Sequence, residues 1–339
     1  MSNAPGEDAY AKAGVSQSDA DLAVSRLVAA LSTANLGRAS RQVDLKGHYA
    51  AVMRLDNKTG IALSTDGVGT KLLVAEELGR FDTVGIDCIA MNVNDIICVG
   101  AEPLAMLDYL AVEKADPEMC EQIGVGLARG AELAGIEIPG GELAQIGDLV
   151  KGFDIAGACF GTVALDSIID GSGVTPSDVV IGLPSSGIHS NGYTLARSAV
   201  AGIDLNDDRL GRPLGEVLLE PTEIYVKAVM ELLASGARVH GLAHITSGGL
   251  DNLLRLKAEV TYEITDPLAP QPIFELIAER ADVPPAEMYE VFNMGCGFCV
   301  VVPPEDEETA LEVLRGHYPE ARRIGDVAAG DRKVIRHSR

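Results

Sequence analysis

The sequence predicts an α/β (α+β) protein with two domains, residues 1–170 and 171–339. Strand-like and helix-like patterns alternate irregularly and include hairpin-like strand pairs, which favours mixed sheets over a doubly wound parallel sheet. The turn-rich segment at 166–180, DSIIDGSGVTPSDVV, separates the halves, and a strand–loop–helix order repeats after it. With 339 residues, of which 47% are apolar, the chain is long enough to form two cores.

The first domain is predicted to begin with a helix at about 18–32, followed by a polar segment and two strands joined by the turn DNKTG. A helix closed by Gly79 comes next, and then a longer one, DTVGIDCIAMNVNDIICVG, whose apolar residues recur at helical spacing. The remaining predicted elements are the strand PLAMLDYLAVE, the helix DPEMCEQIGVGLARGAELAG, a strand entering a Gly-Gly-Glu turn in IEIPGGELAQIGD, and the strand DIAGACFGTVAL.

The second domain is predicted to open with the strand VVIGLP, a polar loop and a helix. The segment HGLAHITSGGLDNLLRL repeats this order with a glycine-rich loop. Further on, Cys296 and Cys299 have the C-x-x-C spacing but run directly into VVV. We therefore interpret them as packing thiols on a buried strand rather than as a redox or zinc pair.

Composition excludes several classes of partner. The formal net charge is −23, so the chain is expected to repel nucleic acid and anionic membranes. No run of about 18 apolar residues predicts a membrane span, and the polar N-terminus does not resemble a secretory signal. The expected location is the cytoplasm.

One loop, Asp66-Gly67-Val68-Gly69-Thr70-Lys71, follows a predicted strand. It lacks the order of a nucleotide P-loop, and the chain contains no Rossmann glycine fingerprint. Nevertheless, its glycines allow backbone N–H groups to approach a ligand, Lys71 suits a phosphate, and Asp66 suits Mg²⁺. The alternative is a plain turn with a helix-capping aspartate, which would explain Asp66 but not the residues after it.

Four acids are candidates for a magnesium site. Asp95 lies on a largely apolar helix, where a carboxylate needs a partner, and it shares a face with Asn92. Glu142 follows two glycines, and Asp154 starts an apolar strand. Each acid alone is explained by structure, but together with Asp66 they could hold Mg²⁺ between phosphates.

Two loops in the second half are candidate anion sites. The segment SSGIHSNGY at 185–193 precedes a helix and is rich in small donors. His189 within it could donate to a phosphate or act as an acid–base group near neutral pH. The alternative is a helix-capping loop with a surface histidine. A shorter version, HITSGGL, recurs at 244–250, and the pair suggests two anionic groups.

The segments STDGVGTK, GIDCIAMNVND, GAEPLAMLDYLA, GLPSSGIHSNGYTLAR, LLEPTEIYVKAV, HITSGGL and EMYEVFNMGCGF resemble those of the phosphoribosylformylglycinamidine cyclo-ligase (AIR synthetase) family. The resemblance runs in order from about Tyr10 to Asp326. It implies ATP-dependent ring closure of formylglycinamidine ribonucleotide to aminoimidazole ribonucleotide. It also implies a homodimer whose N-terminal sheets join into a barrel.

The resemblance places the ATP–magnesium site on the first-half motifs and suggests SSGIHSNG for the substrate phosphate. Lys71 and His189 are the catalytic candidates. The candidate ATP contacts are Lys46, His48, Asp66, Gly67, Gly69, Thr70, Lys71, Asn92, Gly140 and Gly141; the phosphate contacts are Ser185, Ser186, Gly187, His189, Ser190 and Asn191; the metal ligands are Asp66, Asp95, Glu142 and Asp154.

Some positions depart from the common bacterial pattern. QVDLKGHYAAV replaces a glycine- and phenylalanine-rich segment and resembles the archaeal-type variant, in which Lys46 and His48 take over nucleotide contacts. GGEL at 140–143 lacks the usual threonine hydroxyl, and Ser247 stands in a usual glycine triplet. The core acids are intact.

Other members of the superfamily are the alternatives. Selenophosphate synthetases carry a reactive cysteine or selenocysteine near the N-terminus, whereas the first cysteine here is Cys88, inside a predicted helix. Thiamine-phosphate kinases lack a segment like SSGIHSNGY, and the large formylglycinamidine ribonucleotide synthetase is far longer. A silent nucleotide-binding homologue is the alternative of a different class.

Overall fold

A computed structural model of the chain describes residues 17–337. The first predicted helix is confirmed, and its described side chains are exposed. The elements of the first half are α1 Gln17–Leu31, β1 Ala51–Arg54, β2 Thr59–Gly67, a 3₁₀ turn Gly69–Lys71, α2 Leu72–Leu78, α3 Val84–Ile97, β3 Glu102–Val112, α4 Pro117–Ala134, β4 Glu137–Gln145 and β5 Phe153–Ala164.

The second half follows the predicted order of strands and helices, with a 3₁₀ helix in place of the helix after HITSGG. Its elements are β6 Val179–Pro184, α5 Tyr193–Val200, α6 Leu214–Leu218, α7 Val226–Ala234, β7 Gly241–His244, the 3₁₀ helix Gly249–Arg255, β8 Thr261–Ile264, α8 Pro272–Ala281, α9 Pro285–Val291, β9 Cys296–Val302, a 3₁₀ turn Pro304–Asp306, α10 Glu307–His317, β10 Arg322–Ala328 and β11 Lys333–Arg336.

The first sheet has the strand order β1-β2-β5-β3-β4. Its first four strands pair antiparallel, whereas β4 pairs parallel with β3 after the crossover through α4. The predicted turn at Gly140–Glu142 is wrong, because β4 continues through these residues and pairs with β3 along its length. Helices α3 and α4 pack together, and α3 covers one face of the sheet.

The other face of this sheet is open and apolar. Strand residues alternate between the two faces, and the outward set includes Leu63, Leu107, Tyr109 and Phe160, which are 39–51% exposed. An apolar hollow of about 640 Å³ lies on this face. Exposed apolar patches of this kind mark interaction surfaces.

The second sheet has the order β11-β8-β10-β6-β9-β7 and is buried at its centre. Cys296 and Cys299 lie on β9 with buried side chains and Sγ atoms 3.6 Å apart, which confirms their assignment as packing thiols. Within residues 17–337, no helix is long and apolar enough to cross a membrane.

Candidate active site

Helix α3 carries polar side chains in a largely apolar, buried environment. Asp87, Asn92 and Asn94 are fully buried, and Asp95 is 16% exposed. Buried polar groups are costly unless they are paired. Their partners come from both halves of the chain, so α3 is the element on which the candidate site is built.

The first cluster, which we call the ion-pair network, joins Lys71 to Asp87. The Lys71 ammonium lies 2.9 Å from Asp87 Oδ1 and donates to the carbonyls of His189 at 3.1 Å and Glu220 at 2.6 Å. Both side chains are fully buried. Burial lowers the pKa of Lys71, and Asp87 opposes that shift. An ammonium has three N–H donors, and these three contacts use all of them. This geometry departs from the predicted contact between Lys71 and a phosphate.

Asp87 extends the ion-pair network into the second half. Its Oδ1 accepts from Thr222 N at 2.7 Å, from Thr222 Oγ1 at 2.6 Å and from Ser190 Oγ at 3.2 Å. Ser190 and Thr222 also share a hydrogen bond of 2.9 Å. These contacts fix the 185–193 loop against α3.

The second cluster, which we call the carboxylate site, consists of Asp66 and Asp95. Asp66 Oδ1 accepts from Gly67 N at 2.7 Å, and its carbonyl accepts from Asn92 Nδ2 at 3.1 Å. Burial raises the pKa of Asp66, and the nearby Asp95 carboxylate adds to that rise against the Gly67 hydrogen bond. Two neighbouring carboxylates in a half-buried setting favour a cation between them.

His244 orients Asp95 within the carboxylate site. Its Nδ1 lies 3.0 Å from Asp95 Oδ1, and its Nε2 lies 3.5 Å from Asn94 Nδ2. Since a carboxylate only accepts, Nδ1 carries the proton and Nε2 accepts from the amide. Asn94 is fixed in turn by Glu223 O at 2.8 Å and Tyr225 N at 3.0 Å.

Glu142 and Asp154 lie away from the carboxylate site in this chain. Glu142 is in register with Gly67 across three strand spacings, about 14 Å. Both acids are exposed on the open face, whereas Asp66 points to the helix-covered face, because successive strand residues alternate. Among residues 17–337, no three His, Cys, Asp or Glu side chains converge as a metal cluster.

The loop after Asp66 retains the features of a ligand-binding turn. Gly69 has φ +73°, a conformation that favours glycine. Thr70 Oγ1 lies 3.3 Å from Thr194 Oγ1, and both residues retain solvent access. Of the two glycines on β4, Gly140 has open space, whereas a Cβ at Gly141 would lie 2.2 Å from Asp108 Oδ1.

The two predicted nucleotide contacts in the 45–49 segment, Lys46 and His48, have different environments. Lys46 is exposed. Burial lowers the pKa of His48 to about 4, and neither of its ring nitrogens has a hydrogen-bond partner among the described residues. Tyr49 holds this segment on the second half through a 3.0 Å hydrogen bond to Asn252 O.

The predicted substrate-phosphate loop is held in place by hydrogen bonds to other parts of the chain. Ser185 Oγ donates to Asn293 Oδ1 at 2.9 Å, and Asn293 Nδ2 donates to the carbonyls of Gly187 and Ile188. Ser186 Oγ donates to Pro221 O at 2.5 Å. The side chain of Asn191 is half-buried and lies at the start of α5.

The burial and protonation of His189 differ from those predicted. It is 2% exposed and adopts φ +68°. Its Nε2 accepts from Ser186 N at 3.2 Å, and burial lowers its pKa well below the ordinary value. The imidazole is therefore neutral near pH 7. The prediction of an acid–base group near neutral pH does not fit this environment, nor does that of a surface histidine.

Sequence reasoning missed His244, Thr222 and Asp108. The sequence pattern presents His244 only as the start of a glycine-rich loop, although a histidine between apolar strand residues signals a partnered imidazole. Burial raises the pKa of Asp108, which lies in the same cross-strand row as Asp66. No sequence signal linked Thr222 to Asp87, because 135 residues separate them.

Comparisons with known proteins match the two halves of the chain to two domains of the same kind of protein. Residues 47–163 match the family "AIR synthase related protein, N-terminal domain", and residues 175–338 match the corresponding C-terminal domain family. A phosphoribosylformylglycinamidine cyclo-ligase from Methanothermobacter thermautotrophicus is 49% identical and covers 88% of this chain and 90% of its own length. The Pyrococcus furiosus protein of that name is 48% identical, with 94% and 95% covered.

Solved structures share the fold at low identity. A HypE–HypF complex matches with a TM-score of 0.63 at 21% identity, covering 86% of this chain and 90% of that chain. AaThiL complexed with AMPPCP and TMP matches with a TM-score of 0.60 at 20% identity, covering 87% and 88%. Thermotoga maritima PurL complexed with ADP matches at 0.57 and 20%, covering 84% of this chain and 42% of that one.

Proposed function

The chain belongs to the phosphoribosylformylglycinamidine cyclo-ligase family, and we infer that it performs the reaction for which that family is named. It closes the ring of formylglycinamidine ribonucleotide to give aminoimidazole ribonucleotide, with release of ADP and phosphate. The observation that carries this conclusion is identity near 50% over about nine-tenths of the chain, spanning both halves. ATP activates the amide oxygen by phosphoryl transfer, and an amidine nitrogen then displaces phosphate as the ring forms.

The nucleotide phosphates are proposed to bind at the loop from Gly67 to Thr70. This loop offers backbone N–H groups at a glycine-rich turn, and the Thr70 hydroxyl retains solvent access. Asp66 and Asp95 would hold Mg²⁺, which commonly takes one or two carboxylates together with phosphate oxygens. The raised pKa of Asp66 supports this fit, since burial and the Asp95 carboxylate together outweigh the lowering effects of the Gly67 hydrogen bond, His244 and Arg255. Bound Mg²⁺ would neutralise charge on the transferring phosphoryl group.

The substrate phosphate is proposed to bind at the loop from Ser185 to Asn191. Since Ser185 and Ser190 bond internally, the donors left for it are Asn191 and backbone N–H groups at the start of α5. Residues 1–170 would thus bind ATP and Mg²⁺, and residues 171–339 would complete the substrate site. Ring closure then depends mainly on holding the two ends of one molecule together.

The N-terminal sheet is proposed to form a homodimer through its open face. Its outward apolar side chains leave a surface that a second copy would cover. Glu142 and Asp154 lie on this face, so a dimer would bring them to the interface. Leu107→Glu is expected to give monomers in light scattering, whereas Leu149→Glu, on the exposed loop before β5, should leave the dimer intact. Equal behaviour of the two variants would contradict this interface.

Turnover tests the proposed reaction directly. Purified protein would be given ATP, Mg²⁺ and formylglycinamidine ribonucleotide, with thiamine phosphate and selenide in parallel. We expect ADP and aminoimidazole ribonucleotide in equal amounts with the ribonucleotide alone. ADP release with thiamine phosphate or selenide instead would reassign the chain to another activity of the superfamily, and no release with any substrate would indicate a silent binder.

A further inference from the structure

The second half contains a cavity of about 680 Å³ away from the carboxylate site. It lies at the end of β8, β10 and β11, beside the 3₁₀ helix Gly249–Arg255 and the start of α9. None of the residues assigned above to ATP, metal or substrate phosphate lines it. The cavity is large enough for a small organic ligand.

The lining of this cavity contains basic side chains, whereas the chain as a whole is acidic. The sequence has 50 acidic residues against 27 lysines and arginines. The described lining nevertheless contains Arg322, Arg336 and His337 and no aspartate or glutamate. Each arginine also has a carboxylate partner outside the lining, Asp251 at 3.0 Å from Arg336 and Asp266 at 3.6 Å from Arg322. The cavity therefore favours an anion through the guanidinium donors that these pairs leave unused, and not through its net charge.

The two arginines are held in place and keep donors available. Arg336 Nη1 donates to Asp251 Oδ1 at 3.0 Å, and its guanidinium lies 5.8 Å from the ring centroid of Tyr289. Arg322 Nη2 donates to Pro267 O at 2.6 Å. Each guanidinium has five N–H donors and a planar fork that matches phosphate. The guanidinium donors that these hydrogen bonds leave unused can therefore serve a ligand.

The rest of the cavity suits a flat, apolar ring. Leu250, Ile264 and Leu268 line it together with Tyr289, whose aromatic ring can stack on a ligand. We propose that this cavity binds a phosphorylated compound with a flat ring, of the nucleoside monophosphate class, at a site separate from the carboxylate site. Its ring would pack beside Tyr289 and its phosphate would contact Arg322 and Arg336.

Calorimetric titration with adenosine monophosphate tests this proposal on the full chain, with AMPPCP in excess to occupy the ATP site. We expect one further molecule to bind per chain, and inorganic phosphate and adenosine alone to bind more weakly. Arg336→Gln should weaken binding about tenfold or more, because a charged hydrogen bond is lost. Arg238→Gln is the matched control, since Arg238 pairs with carboxylates on an exposed surface away from the cavity.

A second variant keeps the test decisive if Arg336→Gln fails to fold. Ala286 lines the cavity and is exposed at the start of α9, so Ala286→Trp should fill the cavity without disturbing the core. Circular dichroism would verify its fold, and adenosine monophosphate should no longer bind. The proposal is overturned if wild type binds no further nucleotide, or if correctly folded variants of both kinds bind it as wild type does. Neither result requires turnover, so this outcome is independent of the catalytic assay.

Discussion

Asp87 and Asp95 lie two turns apart on α3, yet their surroundings differ. Asp87 meets a buried ammonium and three hydrogen bonds from Ser190 and Thr222. Asp95 retains some exposure, contacts one imidazole and repels a second carboxylate, that of Asp66, whose pKa it raises. A buried charge that is paired with an ammonium and accepts several hydrogen bonds is a structural element. Two half-buried carboxylates, one of which raises the pKa of the other, form a site that favours a bound cation.

Removing the ammonium should break the structural side of this comparison. Lys71→Met leaves the Asp87 carboxylate buried without a cation, and the free energy of unfolding should fall by about 3–5 kcal/mol. Urea denaturation at pH 7 measures it. The exposed pair of Arg80 and Asp82 supplies the control, since Arg80→Gln should leave stability unchanged.

The double variant Lys71→Met/Asp87→Asn sharpens the same test. It removes both charges, so it should recover part of the stability that the single change loses. If the single variant is as stable as wild type, the ion-pair network does not hold the halves together.

Asp66→Asn should have the reverse effect, with activity lost and stability kept. Turnover should fall roughly 100-fold or more, as when one group that stabilises a developing charge is removed. The free energy of unfolding at pH 7 should be at least that of wild type. The folded pKa of Asp66 is raised, so the ionised carboxylate weakens the fold as pH rises above 3.8 and through that pKa.

Steady-state ADP release and urea denaturation on the same preparation measure both quantities. Ser64→Ala serves as the control for local disturbance, because Ser64 lies two residues before Asp66 on β2 and points to the same face of the sheet. Wild-type turnover in Asp66→Asn would remove this residue from the proposed metal site.

The sequence predicted α3 and the acids on it because both signals are local. Apolar residues recur at helical spacing around Asp95, and an acid on an apolar helix implies a partner. The partner itself is not local. Thr222 and His244 contact α3 from the second half of the chain. A sequence alone does not indicate which distant loops meet.

Two failures have simple physical causes. Gly140 and Gly141 favour a turn by local preference, but pairing with β3 satisfies their backbone groups and extends β4. Lys71 follows a glycine-rich loop as a phosphate lysine would, but buried carbonyls and Asp87 use its donors. In both cases tertiary contacts override a preference that the sequence pattern expressed correctly.

His189 provides a smaller, pH-dependent test of the structural side. Burial, then His244 and Lys71, lower its folded pKa well below 6.5. Below pH 6.5 the unfolded chain therefore binds one proton more than the folded chain, and stability falls by up to about 1.4 kcal/mol per pH unit. His189→Asn, which tolerates the positive φ, should flatten this decline between pH 6.5 and 5. Urea midpoints at pH 7, 6 and 5 would show it, and equal slopes for both proteins would contradict it.

The smallest expected effect concerns the loop that joins the two clusters. Gly69, between Asp66 and Lys71, and Gly79, at the end of α2, both have positive φ, at +73° and +59°. Neither would bring a Cβ closer than 3.9 Å to a neighbour. Replacing either with alanine should therefore cost similar stability, about 1 kcal/mol, because only the backbone conformation is strained.

Activity should separate these two variants. Gly69→Ala alters the turn proposed to hold the nucleotide phosphates, so its KM for ATP should rise, whereas Gly79→Ala should keep the wild-type KM. Comparing ADP release with denaturation midpoints for both proteins isolates the local effect from general destabilisation. If KM changes equally in the two, the loop acts only through folding, and the phosphates must bind elsewhere on the first half.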